Sequence, residues 1–303
     1  MGMGEMDERE AGSDVMRTDA EAAGAGEAGA QDGELLAALR DRSATYELLA
    51  RLMGREVDAD LLAALRTMDW AAMADAAGVS AAGADGVVGT ACREGAPASC
   101  DDATGTACGD AFCDGTAAAE VTPVREVELL GSGARLIGDY LAQHPASEDE
   151  ATRTELAVDF ARLFVVRSRS EKHAAYPFES VYTSEGHHTM DRARDEVRAL
   201  YRAAGLARDE RWNVGEDHIA LELEFMAELS RRAEATCIPG DAALDDVLRQ
   251  QASFLDAHLL SWVGLLAQAM EAVARAPFYR GLARFLVGWL RDDRAFLDAA
   301  LGA

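Results

Sequence analysis

The feature that most constrains this chain is the spacing of its large apolar residues. Leu35, Leu36, Leu39, Tyr46, Leu49, Leu52 and Met53 recur at steps of three and four, the spacing that puts side chains on one face of a helix. The same period returns along most of the chain, while no run of alternating β-branched residues, no hairpin turn and no repeat of fixed period interrupts it. The expected fold is therefore all-α: a single globular helical domain of about nine to ten helices.

The first core helix is expected from Glu34, and the second from about Asp58, a capping residue, through Leu61, Leu62, Leu65, Met68 and Trp70 toward Ala77. Periodicity resumes from Pro123 to about Gln143, breaks at His144-Pro145, and continues over about Glu148 to Val166. A long loop is expected from Arg167 to Glu185. Further helices follow over about His187 to Ala204, Gly215 to Ala235, Asp241 to Arg275, Phe278 to Arg291 and Asp293 to Leu301.

Two stretches lack periodicity. Residues 1–32 are rich in Gly, Ala, Glu and Asp, a composition that buries too little surface to offset the entropy of ordering, so a disordered acidic tail is expected ahead of a helical domain at 33–303. Residues 78–122 read as a flexible insertion holding Cys92, Cys100, Cys108 and Cys113. These are separated by seven, seven and four residues, unlike the paired CxxC of common zinc sites, yet four thiols could chelate zinc or an iron–sulfur cluster. They are low-ranked metal candidates. Five cysteines, an odd number, argue for reduced thiols over a disulfide framework.

The net charge of −25, from 29 basic and 54 acidic residues, repels phosphate backbones and anionic membranes and attracts basic partners. Nucleic acid is not expected as a ligand on this ground. The N-terminus lacks the pattern of a secretion signal, so a cytoplasmic location is expected. The most apolar stretch, Leu255 to Pro277, is broken by Asp256, His258, Gln268 and Glu271 and reads as a buried helix.

No HExxH, GxSxG or phosphate-loop motif is present. A metal-dependent helical enzyme using His173, His187, His188 and His218 lacks the repeated Glu-x-x-His of such sites. The expectation is a binding protein without catalysis and without a cofactor. Two segments stand out. In Tyr176-Pro177-Phe178-Glu179-Ser180-Val181-Tyr182, three aromatics, a proline and a carboxylate crowd into a loop, which either packs inward as a clasp or lines an apolar groove for a peptide. In Asp217-His218-Ile219-Ala220-Leu221-Glu222-Leu223-Glu224-Phe225-Met226, Asp217 opens a helix, His218 and Glu222 share a face, and Leu221, Phe225 and Leu229 form the buried stripe. Glu222, Glu224 and Glu228 are expected on a solvated face or paired with Arg231 and Arg232.

Together these segments resemble the TorD/DmsD family of redox-enzyme maturation chaperones, in which an aromatic, Pro-containing loop precedes a helix begun by Asp-His. Phe160 to Val165 (FARLFV) resembles the helix end before that loop, and Phe254, His258, Leu259, Trp262, Phe278, Tyr279 and Leu282 resemble the closing helices. The family's Glu-Pro ahead of Asp-His is replaced here by Val214-Gly215. The resemblance implies a chaperone that binds the twin-arginine signal peptide and apo form of a molybdopterin-dependent oxidoreductase and assists cofactor insertion before export. It implies a signal-peptide site in which Leu163, Phe164, Pro177 and Phe178 supply apolar contacts, Asp217 accepts a charge-assisted hydrogen bond from arginine, and His218 orients it. Tyr176, Glu179, Ser180, Tyr182 and Glu222 complete that set. The alternatives are a general acidic adaptor that binds amphipathic helices, and a metal-binding protein using the insertion cysteines.

Overall fold

The computed structural model describes residues 15–76, 126–165, 175–184, 189, 191–209, 212–236 and 242–302. The insertion cysteines, His173, His187 and His188 lie outside them. Among the described residues there are eleven α-helices and no strand, so the all-α expectation holds. They are α1 (Val15–Gly54), α2 (Ala59–Thr67), α3 (Trp70–Ala76), α4 (Glu126–Gln143), α5 (Asp149–Phe160), α6 (Glu179–Thr183), α7 (Arg192–Ala203), α8 (Ile219–Ala235), α9 (Ala242–Phe254), α10 (Val263–Val273) and α11 (Pro277–Leu301).

Four boundaries differ from those read in the sequence. Helical backbone in α1 begins at Val15 instead of Glu34; alanine, six of the nineteen residues added, favours helix even where no apolar stripe marks it. The expected second helix is two, because Met68 is extended and the Trp70 indole Nε1 turns back to donate to Leu65 O at 2.8 Å. Asp69 then caps α3, accepting from Ala72 N at 2.9 Å. The stretch 242–273 is likewise split, by a π-turn at Leu255–Leu259. The two short helices expected at the C-terminus are one, in which Asp293 faces inward and is paired.

That pairing ties the core together. Arg42 on α1 holds Asp293 on α11 through both carboxylate oxygens and donates to Gln251 Oε1 on α9 at 2.6 Å. Tyr46 OH donates to Asp293 Oδ2 at 2.6 Å. A charge pair this enclosed contributes little net stability but leaves an uncompensated charge if the packing slips, so it selects one arrangement of α1, α9 and α11.

The closest packing is between α4 and α11. A Cβ on Gly133 would lie 2.4 Å from Phe285 N, and one on Gly288 2.4 Å from Leu130 N, so glycine at these positions lets the two backbones touch. The start of α11 is clamped by α5: Asp159 accepts from Arg275 N and Ala276 N at 3.0 and 2.8 Å, and Tyr279 OH donates to Leu156 O at 3.2 Å. Beyond Phe160, α5 runs into a second π-turn, Ala161–Val165, whose widened turn displaces the following side chains from the straight helical stripe.

Candidate functional site

The two distinctive segments meet. Ile219 N donates to Pro177 O and Glu179 N donates to Asp217 O, both at 3.0 Å, forming an isolated antiparallel bridge between Phe178 and His218. Asp217 then turns its carboxylate to α6, where Oδ2 accepts from Ser180 N at 3.2 Å and from Ser180 Oγ at 2.5 Å. The loop expected from Arg167 to Glu185 thus contains a short helix, and its N-terminal donors are capped by a residue 37 positions away in sequence.

Asp217 is 0 % exposed and its Oδ1 has no hydrogen-bond partner. It lies against Gly215, where a Cβ would come within 2.6 Å of that oxygen; glycine here gives the carboxylate room. The N-cap of α8 is His218, not Asp217: its Nδ1 accepts from Ala220 N at 3.1 Å. The ring meets Phe178 edge-on at 5.0 Å. Burial pushes the imidazole down to about 4, so it is neutral at physiological pH and fixed as an acceptor at Nδ1.

Beneath the bridge lies a second pair. Glu179, almost fully buried, faces His258 Nδ1 at 3.1 Å. Glu222 is fully buried, which corrects the expectation of a solvated face, and accepts from Trp262 Nε1 at 3.3 Å. Burial first, then the nearby carboxylates of Glu179 and Asp217, push the Glu222 carboxyl well above its ordinary range. A protonated Glu222 beside these acids avoids the repulsion of like buried charges. Glu228 does pair outward as expected, with Arg231 and Arg232 at 2.9 Å each.

Glu216 points away from this cluster and gathers arginines: Arg194 at 2.6 Å, with Arg198 and Arg208 at 3.8 Å. Burial opposes its ionisation, but the Arg194 hydrogen bond and charge outweigh it and hold the carboxyl below its usual range. Its backbone oxygen accepts from Tyr201 OH at 3.2 Å. Thus α7 locks the turn that carries Asp217 and His218.

The aromatic members of the segment are only half covered. Phe164, Tyr176, Phe178 and Tyr182 are of intermediate exposure, whereas Leu163, Pro177 and Ser180 are buried. Tyr182 stacks on Trp262 at 5.4 Å, and Phe164 meets Phe160 at 5.0 Å. Among the described residues the large apolar side chains left most open are Val158, Val165 and Leu265, at 54, 62 and 48 %. These sit on α5, its π-turn and α10, and α10 packs against both the π-turn and α6.

Alongside α5 runs a groove of about 870 Å³ lined by Glu148, Glu150, Glu155, Asp159, Val158 and Arg162, among others. Sequence reading did not single out its acids, since scattered helix-surface glutamates look alike until the fold gathers them. It also left His258 and Trp262 among general core residues. Their only signal was polarity inside an apolar stretch. No group of three or more His, Cys, Asp or Glu side chains able to hold a metal occurs among the described residues, and none of their helices is long and apolar enough to cross a membrane.

A family model described as nitrate reductase delta subunit matches residues 128–268, which contain the bridge, α5 and both π-turns. The chain is 33 % identical over 144 residues to chaperone protein TorD of Vibrio cholerae serotype O1, covering 48 % of this chain and 63 % of that protein. It is 30 % identical over 148 residues to chaperone protein TorD of Photobacterium profundum, covering 49 % and 66 %. The chain thus spans just under two thirds of the length of these relatives.

Proposed function

We propose that this chain, which belongs to the TorD family, is a non-catalytic cytoplasmic chaperone that binds the twin-arginine signal peptide of a molybdopterin-dependent reductase and assists its folding and cofactor insertion before export. The observation that carries the peptide-binding part is the adjacency of a groove edged by Glu148, Glu150 and Glu155, with Arg162 and Arg275 also in its lining, to an open apolar row. A twin-arginine signal joins a basic segment to an apolar one, and its receptor needs both kinds of surface in sequence. Glu148, Glu150 and Glu155 offer exposed carboxylates beside Val158. Phe164 and Val165 continue the apolar surface from the same helix end.

In this reading Asp217 and His218 act from behind. Asp217 is enclosed and already accepts from Ser180, so an arginine reaches it only if α6 swings away. We therefore assign to Asp217 and His218 the positioning of the segment Tyr176–Tyr182, and to the α5 carboxylates the arginines. Arginine suits such a rim because its planar donors bind carboxylates in pairs.

Two surface variants test the assignment without touching the core. Glu150→Lys combined with Glu155→Lys should weaken binding of a twin-arginine signal peptide by tenfold or more, about 1.4 kcal/mol, at an unchanged unfolding midpoint. Val165→Asp should weaken binding of the apolar part of the peptide by a similar factor. Wild-type affinity in both variants would refute the placement on α5.

A further inference from the structure

A second hollow, of about 410 Å³, opens between α1, α8 and the segment after α7. Its floor is apolar, from Leu206, Leu221 and Phe225, and its rim carries Glu47, Asp209, Glu224 and Glu228 with Arg208 and Arg231. Both arginines are engaged. Arg231 binds Glu47 and Glu228, and Arg208 leans toward Glu216 at 3.8 Å. Glu228 also receives Arg232 at 2.9 Å.

Glu224 differs from these. It feels Arg55 and Arg231 only at a distance, and the Arg55 guanidinium is itself over the Trp212 ring at 5.4 Å. Burial against the apolar wall, with Asp209 nearby, holds the Glu224 carboxyl above its usual range. A carboxylate at the edge of an apolar hollow, without a bonded cation, is satisfied by a positive group on an apolar stem. A small hydrated cation could not use the floor. Lysine carries a compact, strongly hydrated charge, whereas a guanidinium is weakly hydrated and matches a carboxylate through two donors. The volume of about 410 Å³ falls at the lower end of the range of clefts that take a small organic ligand.

We propose that this hollow is a second polypeptide-binding pocket, which takes an arginine side chain flanked by apolar neighbours, the guanidinium on Glu224 and the neighbours on Leu206, Leu221 and Phe225. It depends on the chaperone reading only in taking the partner to be a polypeptide. It is separate from the α5 groove, so the two can fail independently.

The test uses the full chain with methyl-labelled leucines and the probe acetyl-Leu-Arg-Leu-amide, followed by nuclear magnetic resonance. The expected result is saturable movement of the Leu206 and Leu221 methyl signals. Replacing the probe's arginine by norleucine, or Glu224→Gln in the protein, should weaken the response about tenfold, while Glu150→Lys leaves it unchanged. Because Glu224 stands on the exposed rim, only partly covered by the apolar wall and without an ion pair of its own, Glu224→Gln should retain the wild-type unfolding midpoint. Absence of saturable movement, or equal response with norleucine or with Glu224→Gln, would overturn the proposal.

Discussion

Asp217, His218 and Glu222 show how one short stretch of helix start carries three different electrostatic tasks. Asp217 accepts two hydrogen bonds from Ser180, one from its backbone N–H and one from its hydroxyl at 2.5 Å. Removing that hydroxyl leaves a buried carboxylate under-satisfied, so Ser180→Ala should lower stability by about 1–3 kcal/mol in chemical denaturation. His218 is neutral in the fold, with a value near 4 against 6.5 when unfolded. The folded value is depressed, so its contribution is complete above pH 6.5 and is lost as pH falls toward 4, a loss of about 3 kcal/mol. His218→Gln should flatten the stability profile in that window; an unchanged profile would show that the ring is not enclosed. Glu222 works in the opposite direction. Its folded value is raised, so its contribution is present below the ordinary carboxylate range and lost as pH rises. Glu222→Gln should therefore raise the unfolding midpoint more at pH 8 than at pH 5.

At the scale of elements, the α4–α11 contact depends on absent side chains. Gly133→Ala would drive a methyl into the Phe285 backbone, and neither helix can yield without moving its other contacts. The expected loss is about 3 kcal/mol, near the upper end for overpacking, while the same change at Gly264, whose Cβ position meets nothing within 4 Å, should be neutral or stabilising. Helices with an uninterrupted stripe were legible in the sequence, as at α8, where Leu221, Phe225 and Leu229 are all buried as the spacing implied. Breaks set by tertiary contacts were not. The π-turn at Leu255–Leu259 shifts the phase of the stripe by one residue, and it is held by His258 and Trp262 reaching Glu179 and Glu222 across the core. No local signal encodes those partners. The short α6 was hidden for the same reason, since its cap comes from Asp217. The two site segments were each visible as unusual composition, but only folding places them in register.

For the whole molecule, the −25 net charge complements the proposed client peptide, which carries positive charge ahead of an apolar run. Long-range attraction of this kind speeds encounter and is screened within roughly 8–10 Å at physiological salt. Raising salt from about 0.05 M to about 0.5 M should weaken binding mainly by slowing association, and stopped-flow kinetics would detect this. Calorimetric titration of the full chain with a twin-arginine signal peptide from a molybdopterin enzyme, beside the same peptide with both arginines changed to lysine, decides whether the arginines are recognised. The account predicts saturable binding at micromolar concentration or tighter that weakens by about tenfold with lysine. No binding, or equal binding of the two peptides, would contradict it.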